Sequence, residues 1–536
     1  MGLSIVIMIV AAATFALIGT LQAWQRVADL EDYMVSRNQV GGPMALATIT
    51  ASALGVWILF SPPEAASAFG GITAVLGYCL GSAVAVFLFV FVGPRLRQIM
   101  PWGHSLNEYV RHRFVPQNLA HPATTVQKNG LNAIFGRAMY WLTVGVMLFY
   151  MFVYLAAELT AIAQTLKIVS GVPLFLTSIV VLSAAILYTT YGGLKVTILT
   201  DALQFGLIVP LLLLCVSATV IFAGGPAQAL APVRAQLPEL LSFTNLDGVR
   251  FGATLVIAVI AAELFNQGNW QRVYACRDDQ TVRRAFLGSS LVVLPMILLS
   301  GLLGLVAAGS GVSGPTAFFD LLLSLDLPSW LPLAVILLAV ALVMSSIDTL
   351  LSGISSVFTI DLLQLLNRSD SSDADSIDMQ IDQGSTRRVL LISRLLTVAV
   401  GILAVAIAAQ GYSVLYLFFV ADLICAALLF PIIFSLYSRY QTAANAFMSS
   451  LCGIAVGSLF FPKPDFSPLF AAVPGSGDLL NSFAIALLTS TAMTLLWHWL
   501  NKALYANRRL PFNYSQLRAI KPYTKGPVIA SSQARP

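Results

Sequence analysis

The chain predicts an all-α polytopic membrane protein of about 13 transmembrane helices, on three observations. Of its 536 residues 58% are hydrophobic and only 10% are charged, whereas soluble domains run near 25% charged. Apolar runs of about twenty residues, the length that crosses a bilayer as a helix, recur along almost the whole chain. Finally, Lys and Arg fall almost entirely on one side of the spans that those runs define.

In chain order the predicted spans are 3–23, 43–68, 72–93, 138–163, 173–190, 201–223, 251–267, 286–310, 332–360, 389–410, 413–437, 443–461 and 479–500. The first lacks the positive flank of a signal peptide and is longer than its apolar region, so it reads as a retained helix. With the N-terminus outside, all but Lys167, Arg234, Arg250 and Lys463 of the 29 basic residues lie on the inner side. The positive-inside rule then predicts N-out, C-in topology in a plasma or inner membrane. Asn367–Arg388 is a Ser/Asp-rich run that reads as a flexible inner loop. The outer segments 224–248 and 311–331 are long enough for short interfacial or re-entrant helices, and 501–536 reads as a basic inner tail.

Composition also argues against several functions. The net charge of +5 follows from orientation, so nucleic acid is not expected as a partner; the lipid bilayer is. The five cysteines are odd in number and scattered, which fits neither a disulfide framework nor a CxxC metal site. No Ser/His, Cys/His or clustered His pattern points to an enzyme, and no organic cofactor is implied.

Ionisable residues inside a bilayer cost about 2.5–3.5 kcal/mol each on insertion scales and are functional candidates by default. Six fall within or at the ends of the spans: Glu64, Glu158, Asp201, Glu263, Asp348 and Asp422. The segment ASALGVWILFSPPEA, residues 51–65, carries Pro62 and Pro63 side by side before Glu64. A helix broken at membrane depth is tolerated where it is buried in protein or lines a cavity, and such breaks point to transporter binding sites. A second interrupted segment, AAELFNQGNWQR, crowds Glu263, Asn266, Gln267 and Asn269 around Gly268, with Arg272 as a basic cap after the helix ends. MSSIDTLLSGISSVFTID places Ser345, Thr349, Ser352, Ser356 and Thr359 on one helical face. Its adjacent Ser345 and Ser346 offer neutral oxygens suited to a hard monovalent cation. YTTYGGLKVTILTDALQ turns at Gly192–Gly193 and sets Asp201 near the inner end of the next helix.

These motifs, in this order and spacing over about residues 30–440, resemble the sodium:solute symporter family, whose members share the LeuT-like fold of two inverted five-helix repeats. YGGLKVTILTDALQ is similar to the family signature, MSSIDTLLSGISSVFTID to its sodium-site helix, and FNQGNWQRVYACRD to the segment after its broken sixth core helix. The resemblance implies an extra N-terminal helix (1–25), repeats at 43–223 and 251–437, and two further helices within 443–500 before the tail. It implies a co-transported sodium ion held by the carbonyls of Ala51, Leu54 and Leu342 and the hydroxyls of Ser345 and Ser346. Asp201 takes the place of the family's inner-face carboxylate.

Trp57, Ala262, Glu263 and Asn266 are the candidates for the solute pocket. The first broken helix is similar to that of bacterial proline permeases, including Trp57, but Ala53 and Gly55 stand where those have aspartate and serine. Ala262 and Glu263 stand where the sugar-transporting branch has tyrosine and tryptophan. Neither proline nor sugar is therefore implied; an amino acid, urea, monocarboxylate or amine is the expected small polar solute. The expected activity is sodium-coupled symport by alternating access. A proton-coupled symporter using Glu263 and a transporter-like sensor are the alternatives; a channel would need a repeated filter sequence.

Overall fold

The computed structural model describes residues 2–26, 30–116, 130–369, 383–505, 512–518 and 520. Most of the predicted Ser/Asp loop and basic tail lies outside them, as do His121 and Lys128. The principal helices are α1 (Gly2–Arg26), α2 (Gly42–Ala53), α3 (Gly71–Ile99), α4 (Gly130–Ser170), α5 (Leu174–Phe222), α6 (Leu246–Glu263) and α7 (Gln267–Ala275). They continue as α8 (Asp279–Gly309), α9 (Trp330–Ser369), α10 (Gln383–Ala408), α11 (Val414–Ser435), α12 (Ala443–Ser458) and α13 (Leu479–Tyr505). No strand occurs among the described residues; two isolated bridges, Val40–Cys276 and Pro462–Pro468, are the nearest approach to one.

Nine helices in the described residues are long and apolar enough to cross a membrane, ten if the bent pair α6–α7 counts as one span. The expected thirteen is not reached by length alone, and the shortfall lies at the irregular helices. α5 has 49 residues, about 74 Å at helical rise, more than twice the hydrocarbon thickness. It kinks at Gly193, whose φ of 53° and ψ of −153° are non-helical, and the arms on either side of the kink cover the predicted spans 173–190 and 201–223. α2 has only 12 residues and α12 only 16. Segments 224–248 and 311–331 carry short helices, Pro226–Ala229, Ala231–Gln236 and Ala317–Ser324, as expected.

The first break lies earlier than the prolines suggest. α2 stops at Ala53, Leu54 and Gly55 are extended, and a 3-10 turn runs over Val56–Leu59. Pro62 and Pro63 fall in the first turn of the short helix Ser61–Glu64, where a missing N–H costs nothing. They start the second half-helix; the break is at Leu54–Gly55. The second interruption matches its expected place. α6 and α7 meet at Leu264–Asn266 with a bend of 57°, and the Asn266 side chain caps α7 by accepting from the Gly268 N–H at 3.0 Å. The expectation that the helix ends at Gly268 is corrected, because α7 runs on to Ala275.

At one end of the bundle, arginines bind carbonyls of neighbouring segments. Arg37 donates to Pro101 and Gly103, Arg97 to Val273 and Cys276, Arg95 to Leu436, and Arg113 to Ser438 and Gln441. Five guanidinium N–H groups in a fixed fork suit carbonyls left bare where helices end. The same end holds a buried imidazole, His104, between Glu31 at 2.8 Å and Glu108 at 3.1 Å. Burial pushes the His104 imidazolium down, but the two carboxylates outweigh it and raise its pKa from 6.5 to about 9. Burial likewise pushes Glu31 up, but His104 and Arg37 overcome this and lower it from 4.5 to about 2.

By linkage, the His104 contribution to stability is complete below pH 6.5 and lost as pH rises through about 9. The Glu31 contribution is complete above pH 4.5 and lost as pH falls through about 2. Thermal melting of the purified protein is expected to weaken from pH 6.5 toward 9, with H104Q flattening that decline. An unaltered alkaline decline in H104Q would contradict the assignment.

Candidate functional site

The oxygen-rich break in α2 lies against α9. Ser345 donates its hydroxyl to the carbonyls of Ala51, at 3.0 Å, and Leu342, at 2.9 Å. Ser346 bonds the Leu342 carbonyl at 3.0 Å and the Glu158 carboxylate at 2.9 Å. Serine in a helix commonly bonds back one turn, which accounts for Leu342; the reach of Ser345 across to Ala51 depends on α2 and α9 packing here. Leu54, the residue at which α2 opens, is fully buried and leaves the helical ladder with φ −106° and ψ 94°. The structure thus brings Ala51, Leu342, Ser345 and Ser346 into direct contact, with Leu54 at the adjoining break. Glu158 of α4, flagged in the sequence only as an intramembrane charge, joins the same cluster.

Asp201 is fully buried. Its Oδ2 accepts from Arg272 at 2.6 Å and from Thr48 at 2.5 Å, and both charged side chains are buried. Arg272 further donates to Thr48, Gly268 and Thr349. The reading of Arg272 as an exposed cap among the inner-loop charges is therefore corrected: it is the buried counter-charge of Asp201. Asp348, one turn along α9 from the serine pair, accepts from Tyr188 at 2.8 Å and Thr200 at 3.1 Å. Glu64 accepts from Ser413 at 3.1 Å, tying the half-helix after the break to the start of α11.

A cavity opens beside the break. Ala53 and Trp57, on either side of it, line the cavity together with Tyr78 and Ser82 of α3, Tyr150 and Tyr154 of α4, Ala262 and Glu263 of α6, and Phe418 and Asp422 of α11. The rings form a connected cage. Trp57 stacks on Tyr78 with centroids 5.3 Å apart and meets Phe418 edge-on at 6.1 Å, and Tyr154 meets Phe418 at 5.1 Å. Glu263 accepts from Asn269 at 2.8 Å and Tyr150 at 3.4 Å. Asp422 Oδ1 and Trp57 Nε1 are buried without a hydrogen-bond partner among the described residues. No Lys, Arg or His lines this cavity.

Of the predicted pocket residues, Trp57, Ala262 and Glu263 line the cavity, whereas Asn266 caps α7 and faces Glu263 from behind at 3.5 Å. The cage tyrosines and Phe418 carry no signal of their own in the sequence. Asp422 does, as a charge in the middle of an apolar helix.

Two interrupted helices beside a cavity lined by aromatic rings and two carboxylates are the arrangement of a membrane transporter. The chain belongs to the sodium:solute symporter family, which residues 33–453 match. It is 27% identical over 421 residues to the spermidine transporter DUR31 of Candida albicans, covering 77% of this chain and 70% of that protein. It is 22% identical over 487 residues to the high-affinity proline transporter PutP of Bacillus subtilis, covering 87% of this chain and 94% of that one. Among solved structures, it shares its fold with a substrate-bound, outward-open Na+-coupled sialic acid symporter. That match has a TM-score of 0.70 at 16% identity and covers 95% of this chain and 99% of that one. The nucleobase-cation-symport-1 family transporter Mhp1 follows at a TM-score of 0.55 and 13% identity, over 90% and 97% of the two chains.

Proposed function

We propose that this protein is a sodium-coupled symporter of the plasma membrane, N-terminus outside, that imports a small organic amine by alternating access. The observation that carries the solute class is the cavity: two carboxylates, Glu263 and Asp422, within an aromatic cage that includes no basic side chain. A cationic amine finds counter-charges there and ring faces that attract cations. A monocarboxylate would find no cationic side chain to pair with. The resemblance to a spermidine transporter supports the same ranking of solutes. Sodium, a co-substrate, is held by the Ala51, Leu54, Leu342, Ser345 and Ser346 oxygens, bridging the first broken helix to α9. Helix bundles built from the repeats at 43–223 and 251–437 move relative to one another to exchange the two states, and Asp201 draws the ion inward when Arg272 releases it.

A tenfold sodium gradient supplies about 1.4 kcal/mol and 100 mV adds about 2.3 kcal/mol per charge. One ion thus supports accumulation of a neutral solute by roughly 500-fold, and a cationic solute gains from the potential on its own charge as well.

The test is a thermal-shift and uptake screen of amino acids, urea, monocarboxylates, quaternary amines and polyamines, with and without sodium. Amines are expected to respond only with sodium present, and a preference for monocarboxylates would refute the solute assignment. E263Q and D422N are each expected to raise the amine half-saturation by about 10–100-fold, the worth of one charge-assisted bond. Proton coupling through Glu263 predicts something else: E263Q uptake that no longer varies with pH while amine affinity is kept.

A further inference from the structure

We propose that Glu158 is an anionic ligand of the transported cation, and that Gly55 is glycine to admit it. This assignment rests on the sodium reading of the Ala51–Ser346 cluster. Glu158 projects from α4 into the break of α2, where its Oε2 accepts from the Val56 N–H at 2.9 Å and from the Ser346 hydroxyl at 2.9 Å. Ala51 O, Ser345 Oγ, Leu342 O, Ser346 Oγ and Glu158 Oε2 therefore form one continuous chain of oxygens, each within 3.0 Å of the next. A hydroxyl carries two acceptor lone pairs and rotates freely, so both serines can turn from donating to one another's neighbours to facing a cation.

The second oxygen distinguishes a ligand from a helix cap. The 3-10 turn presents the Val56 N–H to Oε2 and the Trp57 N–H close by, while Oε1 is buried and makes no hydrogen bond of normal geometry among the described residues. No Lys, Arg or His among the described residues lies within 4.0 Å of this carboxylate, whereas Asp201 has Arg272. A buried carboxylate without a protein counter-charge is costly, and a monovalent cation placed among these oxygens would neutralise it. Gly55 completes the fit. A Cβ there would stand 2.0 Å from Oε1, 2.6 Å from the Glu158 carboxyl carbon and 2.6 Å from Trp57 Cδ1, so a side chain at 55 pushes on the carboxylate and on the Trp57 ring together. The two positions are one device: the side chain missing at 55 is the space that the charge at 158 fills.

The experiment is binding of radioactive sodium to the purified full-length protein at fixed pH, for wild type, E158Q, E158D and G55A, with thermal melting alongside. E158Q keeps an oxygen to accept the Val56 N–H but removes the charge, and its sodium half-saturation is expected to rise by about 10–100-fold. G55A keeps the charge but forces it away, and is expected to show a loss of the same order. E158D retreats by one methylene and should fall between wild type and E158Q. Wild-type sodium affinity in folded E158Q or G55A would overturn the assignment of Glu158 and leave the serine site standing. If wild type binds no sodium at all, the sodium reading falls and this one with it.

Discussion

Replacing Ser345 and Ser346 together with alanine is expected to abolish sodium-dependent uptake, with the sodium half-saturation rising on the order of 100-fold or more. Each serine supplies one oxygen to the cluster, and a hydrogen bond or ligand contact to a charged group is worth about 1.5–3 kcal/mol. Two such losses compound. The Ala51 and Leu342 carbonyls, which the hydroxyls now reach at 3.0 and 2.9 Å, would keep their places in their own helices. The loss should therefore appear in sodium affinity far more than in folding. Unchanged sodium affinity in S345A/S346A would refute the placement of the cation.

The second large effect is expected at Arg272. Removing one partner of a buried ion pair strands the other, at about 3–5 kcal/mol, and here the stranded group is Asp201, fully buried beside Thr48. R272A should melt at a markedly lower temperature and transport little. D201N/R272Q, which removes both charges and keeps hydrogen-bonding groups, should recover much of the stability but none of the coupling that depends on Asp201. Melting of R272A at the wild-type temperature would show that the pair contributes nothing to the fold.

A positive residue just past a broken helix resembles a loop charge, and only the reach of the Arg272 side chain to Thr48, Asp201 and Thr349 reveals its partner. The prolines misplaced the first break for a related reason. Proline both ends helices and begins them, and at Pro62–Pro63 the second role applies. What was legible rested on local pattern: Ser345 and Ser346 on one helix, the polar crowd at Glu263–Asn269, the glycine turn at Gly193. What was not legible was convergence. Tyr78, Tyr150, Tyr154 and Phe418 lie on three helices, and their meeting around Trp57 is a property of the fold. Glu158 is intermediate, visible as an anomaly in an apolar run but explained only by the missing side chain at Gly55.

If downhill sodium drives uphill movement of an amine held between Glu263 and Asp422, the most direct test is uptake of labelled spermidine into proteoliposomes holding the purified protein, at matched membrane potential, with and without an inward sodium gradient. Saturable accumulation above the external concentration, stopping when the sodium gradient is collapsed, is expected. Equilibration to the external concentration and no further, at the same rate with or without sodium, would contradict it.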